Sequence, residues 1–575
     1  MLSPAGDRPA GRCGAAPGLG ARPGGRFGGR GGCGLGGGHH CRGGPLAPRA
    51  GAAAGGPGRA RVPHLAGGRR PLPGTRVPGL FAFPRAAGAL PAGGAARGSG
   101  SDGRLRSRFS GHTLPAGGRR ARPAGMSCRP SRLEAASLMA PPDGRFDAMD
   151  SWPWPRLRRW WERRLRRTLA VAGGLPFYRE RFRAAGFDPS SFRKLEDLTN
   201  VPVMRREDVL GALRAGGHYL IGMERVDGEA VLAMSSGTEG ATSFVALPRR
   251  WRPMERRASV RAHWWAGVRP GDTFLLSAPA WHIYALGQVL LIEALRLRAV
   301  VTWGTYLPHF APHILHAIVT FRPRFLALFL PMAFSLLEEA RRQGMRPERA
   351  FAGVEALMVA GAPITPGMRE RLREEMGIGR VVEAAGSTEG FLATECGQGE
   401  GLHLVPEKSY AEVLDPETWQ STAPGERGAL VITNTWPWGS LYLRYDTGDA
   451  AVAFPGPCPC GRPYPRVKLL GRRAYRFRLG GRDLLPYDVQ HAVEEAVPAM
   501  RGATLAILRE GLDRGELHLL AQGQGLDTAG IGPRLQSALS ERFDVPVRIE
   551  WGRELPLRWK GVPPVLERAQ VGEVR

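Results

Sequence analysis

At 575 residues the chain is too long for one ordinary core, so two or three domains are expected. Its formal charge of +28 does not by itself make a nucleic-acid binder: residues 1 to 125 hold 20 Arg, no Lys, no Glu and two Asp, which leaves +10 for the rest. The most apolar stretch, Gln288 to Trp303, is broken by Glu293, Arg296 and Arg298, which excludes a membrane span, and seven unevenly spaced cysteines exclude a secreted disulfide framework.

Residues 1 to 148 form a Gly/Pro/Ala/Arg leader with too few large apolar residues to offset chain entropy. It is read as lying outside the working fold; a basic arm for an acidic partner is the competing reading. Met126, Met139 and Met149 each offer a later start, and the leader has no apolar core of a secretory signal. A cytoplasmic protein without membrane insertion follows, with no nucleic acid expected as partner.

Pro155 to Phe187 places apolar and aromatic residues at three- and four-residue spacing and predicts an amphipathic opening helix. Leu198 to Met204 reads as a loop, and Arg205 to Leu213 as a short helix. From Ala230 to Tyr410 apolar runs (AVLAM, DTFLLSAP, RAVVTW, RFLALFL, EALMVAG, RVVEAAG) alternate with helical stretches such as Pro331 to Gln343 and Pro366 to Met376. That alternation predicts a layered α/β domain with partly parallel sheets over residues 149 to 470. Residues 471 to 575 predict a small α+β domain: helix Tyr487 to Val497, strands Ala503 to Arg509 and Glu516 to Gln522, helix Ile531 to Phe543 and strand Pro546 to Trp551.

Directly after AVLAM comes Ser235-Ser236-Gly237-Thr238-Glu239-Gly240-Ala241-Thr242-Ser243. Small hydroxylated residues and glycines let backbone N–H groups approach a polyphosphate, although no Walker GKS or GKT follows. Taken with the later motifs in their order, this segment resembles the phosphate loop of the phenylacetate-CoA ligase-like family of the adenylate-forming, AMP-binding superfamily. Pro279 to Gly287 (PAWHIYALG) resembles the following aromatic segment, and Ala360 to Pro363 the adenine-side turn that would use Gly361, Ala362 and Pro363. Gly386-Ser387-Thr388-Glu389-Gly390 resembles the motif whose glutamate binds magnesium, and Leu443 to Asp449 (LRYDTGD) the one whose Asp449 holds the ribose. Gly471-Arg472 resembles the hinge, Gly480 to Pro486 the first lid loop, and Leu555 to Gly561 (LPLRWKG) the segment bearing the catalytic Lys560.

The resemblance implies a large layered α/β domain of adenylate-forming type with a small C-terminal lid. It implies a ligase that uses ATP and Mg²⁺ to make an acyl-adenylate from a carboxylic acid and passes the acyl group to coenzyme A; a carrier-protein acceptor and a non-catalytic relative are the alternatives. Thr238, Glu389 and Lys560 would be catalytic. Ser235, Ser236, Gly237, Gly240, Ser387, Thr388, Asp449 and Arg472 would hold the nucleotide, and Trp281, His282 and Tyr284 would line an acid pocket suited to an aryl or apolar acid. Chemistry agrees: attack on an α-phosphate adds negative charge to anionic groups, so metal and cation must stand ready. Only four lysines (Lys194, Lys408, Lys468, Lys560) occur against 76 arginines, so a retained Lys560 suggests a need for a compact point charge; no role is read for the other three. Glu239, Ala241, Ala385, Ala474 and Tyr475 depart from the family's pattern. A homodimer is left open.

Cys396, His403, Cys458 and Cys460 are the ligand types of a structural zinc site, and relatives carry the same residues here; the alternative is buried free thiols and a surface histidine.

Overall fold

The computed structural model describes residues 144–216, 230–234, 244–278, 283–303, 308–398, 400–436, 440–523, 525–552 and 564–571. The opening segment is two helices: α1 (Trp154–Gly173) and α2 (Pro176–Ala184). The single helix expected over 155–187 breaks because Gly173-Gly174 weakens it and Pro176 cannot donate a backbone bond into a preceding turn. Leu157, Trp161, Leu165 and Leu169 repeat at helical spacing on α1 and are all buried, so its apolar stripe is used within the fold. Packing begins upstream of Met149: the Phe146 ring is buried and Asp147 caps the first turn by accepting from Met149 N.

α3 (Arg206–Gly216) precedes β1 (Ala230–Met234) and β2 (Phe244–Pro248), which pair only with each other, antiparallel. The apolar run AVLAM is a strand, as expected, and lies in this two-stranded ribbon outside the central sheet; Leu232 at its centre is exposed, as such a ribbon allows. After α4 (Arg252–Ala266) come β3 (Thr273–Ala278), α5 (Ile283–Leu295), β4 (Arg298–Trp303), α6 (Ala311–Phe321), β5 (Phe325–Phe329), α7 (Leu330–Arg342), β6 (Ala356–Ala360), α8 (Pro366–Met376) and β7 (Arg380–Gly386). These strands lie parallel in the order β7-β6-β5-β3-β4. The sheet continues past β7 with antiparallel β8 (Leu392–Thr394), β9 (Leu402–Leu404), β10 (Ser409–Leu414), β11 (Arg427–Asn434), β12 (Tyr445–Ala453) and β13 (Arg466–Arg472), eleven strands ordered β10-β11-β12-β13-β9-β8-β7-β6-β5-β3-β4. One core packs α4 and α5 on one side of the parallel strands (Trp264, Trp265, Phe274, Leu291), and another packs α6, α7 and α8 on the other (Leu315, Leu336, Leu372).

Beyond β13 the chain forms the hairpin β14 (Phe477–Leu479) and β15 (Arg482–Leu484). Its two turn residues, Gly480 and Gly481, both have positive φ, the backbone of a tight primed turn that glycine supplies without strain. α9 (Pro486–Ala496), β16 (Leu505–Leu508), β17 (Leu517–Gln522), α10 (Thr528–Phe543), β18 (Val547–Gly552) and β19 (Val565–Leu566) follow, with their own core of Val489, Leu519 and Leu535. Their sheet order is β18-β17-β16-β19, so the connection from β18 to β19 passes from one edge to the other. Among the described residues no helix is long and apolar enough to cross a membrane.

Candidate functional site

In open α/β sheets ligands gather beyond the carboxyl ends of parallel strands, and three of the predicted segments follow such ends in sequence: after β3, β6 and β7. The turn after β6 needs Gly361: its φ is +92°, and a Cβ would run into the Phe329 ring at the end of β5. Ala362 is buried, and Thr365 caps α8 by accepting from Met368 N at 3.1 Å. Glu383 on β7 supports this turn by accepting from Ile364 N, and burial, reinforced by the nearby Glu395 carboxylate, pushes its acid up to about 8. A carboxyl with a folded pKa above its unfolded value binds more protons folded than unfolded, so its ionisation costs stability as pH rises from the ordinary carboxylate range to about 8. Glu383→Gln keeps an acceptor for Ile364 and removes that titration. It is expected to leave the melting temperature at pH 5 nearly unchanged and to raise it by several degrees at pH 9, on the order of 2–3 kcal/mol, in paired thermal melts.

Glu389 sits at the tip of the β7–β8 turn, closed by Gly390 N to Ser387 O (3.2 Å) and Ser387 N to Phe391 O (3.0 Å). Thr388 Oγ1 donates to Glu389 Oε2 at 3.1 Å. One residue absent from the sequence reading holds this turn: Asn434, buried at the end of β11. Its Nδ2 donates to Glu389 O at 2.9 Å and Ser409 Oγ at 3.3 Å, and its Oδ1 accepts from Tyr442 N at 2.8 Å. Gly390 makes room, since a Cβ there would lie 2.6 Å from Asn434 Nδ2. Asn434→Ala strands a buried carbonyl and a buried N–H, with an expected stability loss of about 1–3 kcal/mol by urea titration and roughly tenfold lower turnover from a displaced Glu389.

Asp449 on β12 lies opposite Arg472 on β13, with Arg472 Nε 3.4 Å from Asp449 Oδ1 and an Arg472 guanidinium N–H donating to Thr447 O at 2.6 Å. Arg473 pairs with Asp446. Burial pushes the Tyr442 and Tyr445 phenols up, and the neighbouring Glu389 carboxylate adds to both, so the Glu389 turn and the start of β12 face one another. The structure thus places Gly361–Pro363 and Gly386–Glu389 at the carboxyl ends of the neighbouring strands β6 and β7, and the Tyr445 phenol, acted on by both the Glu389 carboxylate and the Arg472 guanidinium, links the Glu389 turn to the Asp449–Arg472 pair. Ser235, Ser236, Gly237, Thr238, Gly240, Trp281, His282 and Lys560 lie outside the described residues; Tyr284 falls in the first turn of α5.

Two lysines passed over in the sequence reading have places. Lys408 is buried and bonds Glu255 on α4 at 2.6 Å, and the Lys468 ammonium lies 5.2 Å from the centroid of the Tyr487 ring, where α9 of the small domain meets β13. The small domain is further held by Glu494, which accepts from Thr365 Oγ1 and from Gly502 N (3.1 Å), and by Asp488, which takes both arms of Arg427 (2.6 and 2.8 Å).

A second cluster joins β8, β9 and the loop between β12 and β13. The ligand atoms of Cys396, His403, Cys458 and Cys460 all lie within 4.8 Å of one another; Cys396 Sγ is 3.6 Å from Cys458 Sγ, and Cys460 Sγ is 3.4 Å from His403 Nε2. A zinc tetrahedron with usual bond lengths has S···S edges of about 3.8 Å and S···N edges of about 3.6 Å; these two pairs are close to such edges, and the cluster as a whole is within about 1 Å of them. His403 is fully buried, which removes the surface-histidine alternative, and its Nδ1 lies 3.3 Å from Tyr464 O, the tautomer that turns the Nε2 lone pair to the thiols.

Behind this cluster, Arg261 is fully buried and bonds Asp150 (2.6 Å), Asp147 (2.7 Å) and Glu407 (2.8 Å); Arg257 bonds Asp147 and Glu407, and Arg462 lies 3.3 Å from Asp150. Burial lowers the Arg261 guanidinium's pKa, but Glu407, Tyr464, Asp147 and Asp150 outweigh it and hold the group well above its usual value.

The profile of the family described as AMP-binding enzyme matches residues 221–438. The chain is 30% identical over 383 residues to the phenylacetate-coenzyme A ligase of Thermus thermophilus, covering 64% of this chain and 82% of that one. To the phenylacetate-coenzyme A ligase of Pseudomonas putida it is 28% identical over 401 residues, covering 66% and 86%. Among solved structures it is similar to a 2-hydroxyisobutyryl-CoA ligase in the postadenylation state with 2-HIB-AMP, at a TM-score of 0.64 and 23% identity over 74% of this chain and 92% of that one. An open conformation of the same ligase with 2-HIB-AMP and CoA gives 0.53, at 23% identity over 70% and 89%.

Proposed function

Because the chain belongs to the phenylacetate-coenzyme A ligase family of AMP-binding enzymes, we propose that it activates a carboxylic acid with ATP to an acyl-adenylate and then transfers the acyl group to coenzyme A. The observation that carries the reading is the Gly361 and Glu389 turns at the carboxyl ends of neighbouring strands β6 and β7, with Tyr445 between Glu389 and the Asp449–Arg472 pair. The Gly361–Pro363 turn would offer backbone to the adenine, with Ala385 beside it on the neighbouring strand β7. Asp449, an acceptor when ionised, suits the two ribose hydroxyls, and Arg472 holds its orientation. The serine- and glycine-rich segment 235–243, with Thr238, would take the phosphates.

The carboxylate of Glu389, turned out at a clamped hairpin tip, is a hard oxygen donor fit for Mg²⁺, which when bound neutralises charge on the phosphates. Lys560 would bridge the attacking carboxylate and the α-phosphate. Trp281, His282 and Tyr284 favour an aryl or otherwise apolar acid. Cys396, His403, Cys458 and Cys460 fit a structural zinc: four protein ligands leave no open position, and the metal would tie β8 and β9 to the β12–β13 loop. Use of ATP and coenzyme A is consistent with a cytoplasmic enzyme, and a homodimer is compatible with the reading.

Carboxylate-dependent exchange of labelled pyrophosphate into ATP tests adenylation, using the full chain, a panel of aryl and fatty acids, and Lys560→Ala as control. Exchange with one acid, lost in the variant, is the expected result and names the acid. ATP binding without exchange for any acid overturns the reading in favour of a nucleotide-binding relative without turnover.

A further inference from the structure

A cavity of about 340 Å³ lies on the far face of α4 from its Glu255–Lys408 pair, lined by Asp147, Met149, Trp152, Trp160, Arg164, Met254, Arg257, Glu407 and Trp436. It is walled by α1, α4 and the chain that leaves β11, and none of the nucleotide-site residues lines it. Its size falls at the small end of the range of ligand pockets, enough for one aromatic ring or a short acyl chain. The lining is mostly apolar, with three indoles.

Two features of that lining call for a polar partner. The indole N–H groups of Trp152 and Trp436 are buried without a hydrogen bond, which leaves two desolvated donors unsatisfied. The Arg164 guanidinium lies 3.6 Å from the centroid of the Trp436 ring and 5.3 Å from that of Trp160, and no carboxylate among the described residues meets it. Its neighbours in sequence, Arg163 and Arg167, only add to the positive charge, and burial and these two cations lower its pKa. The cavity's two acids do not balance it, because Asp147, Asp150 and Glu407 are met by Arg257, Arg261 and Arg462, three charges against three. The aromatic faces that would cradle a ligand cation already hold Arg164, which excludes a quaternary amine as occupant.

We propose that this cavity is a second ligand site, separate from the adenylation site, that binds a small organic carboxylate: the apolar body among Trp152, Trp160, Met254 and Trp436, and the carboxylate on Arg164. Trp436 is two residues from Asn434, which clamps the Glu389 turn, so an occupant stands on the chain that leads to the nucleotide site.

Heavy-atom quenching of tryptophan fluorescence tests it on the full chain, with 8-bromooctanoate as probe and 8-bromooctanol as its uncharged analogue. Saturable quenching by the carboxylate is expected, roughly tenfold weaker for the alcohol, with Arg164→Gln equally weakened toward the carboxylate and Arg164→Lys partly restoring it. The double variant Trp160→Phe, Trp436→Phe is expected to lose most of the quenching, which separates this cavity from the adenylation site. Thermal melts show that each variant is folded. Quenching that is absent, that is indifferent to Arg164→Gln, or that survives loss of both indoles overturns the proposal, the last by placing the ligand elsewhere. None of these outcomes depends on turnover, so the site stands or falls independently of the ligase reading.

Discussion

Replacing Arg261 with methionine is expected to cost more stability than any other single substitution in the large domain, about 3–5 kcal/mol or more. The guanidinium is fully buried and its donors are shared by Asp147, Asp150 and Glu407, two of which are themselves fully or almost fully buried. Removing it leaves three carboxylates facing each other away from water, and uncompensated buried charge is what makes the loss of one partner severe. Arg257 and Arg462 remain, but each reaches the cluster from its rim: Arg257 is 39% exposed and Arg462 contacts Asp150 at 3.3 Å. Urea titration at pH 7 measures the effect. A companion with Asp147, Asp150 and Glu407 also changed to Asn, Asn and Gln should recover part of it, since the charges that made the deletion costly are then gone. Arg261→Met as stable as the parent would show that water or rearranged arginines satisfy the acids.

The Cys396–His403–Cys458–Cys460 cluster carries the second large expectation, as a zinc site. The protein as purified should hold about one zinc per chain by metal analysis, and Cys458→Ser with Cys460→Ser should abolish it. The stability loss is expected to be several kcal/mol, less than the roughly 10–16 kcal/mol of zinc-finger peptides, because β8, β9 and β13 are paired by backbone hydrogen bonds whether or not metal is present. Chelation should lower the melting temperature of the parent to that of the variant and leave the variant unmoved. Metal-free protein that melts with the parent would reduce the cluster to buried thiols. Activity should fall only as far as stability does, since Cys396 and His403 stand on the β8–β9 side of the Glu389 hairpin and four protein ligands leave the metal no open position.

What the sequence made legible followed from periodicity and local chemistry. β3, β4, β5, β6 and β7 are short continuous apolar runs between helices, as strands buried on both faces must be, and their bounds fall within a residue or two of expectation. The antiparallel half was harder to read because β8 and β9 are three residues each and β12, YDTGDAAVA, mixes acids and glycine with its apolar positions. β1 was legible as a strand, but an apolar five-residue run does not tell a two-stranded ribbon from a central sheet. At the site, Glu389, Asp449 and Arg472 were found through motif order, while Asn434 was not: its partners stand 8, 25 and 45 residues away, and an isolated asparagine carries no pattern. The Arg261 network is equally hidden, since Asp147 and Asp150 meet partners more than 100 residues on. A faint signal existed in two aspartates, Asp147 and Asp150, placed where the leader's composition ends.

The edge-to-edge connection in the small domain sets a leash on Lys560. β18 and β19 run in opposite directions, and the registers put Val565 level with Ile549, three residues before Gly552, so the departure and the return lie roughly 17 Å apart, three strand spacings across and about 10 Å along. Five residues separate Lys560 from Val565 and eight separate it from Gly552, so even a fully extended backbone carries its Cα no farther than roughly 17 Å from the first anchor and roughly 27 Å from the second. Arg568, bonded to Glu510 and Glu550 at 2.9 Å each, pins the chain just past the return. Wherever the small domain is turned, the lysine is therefore carried with it, on a tether no longer than these two stretches of chain.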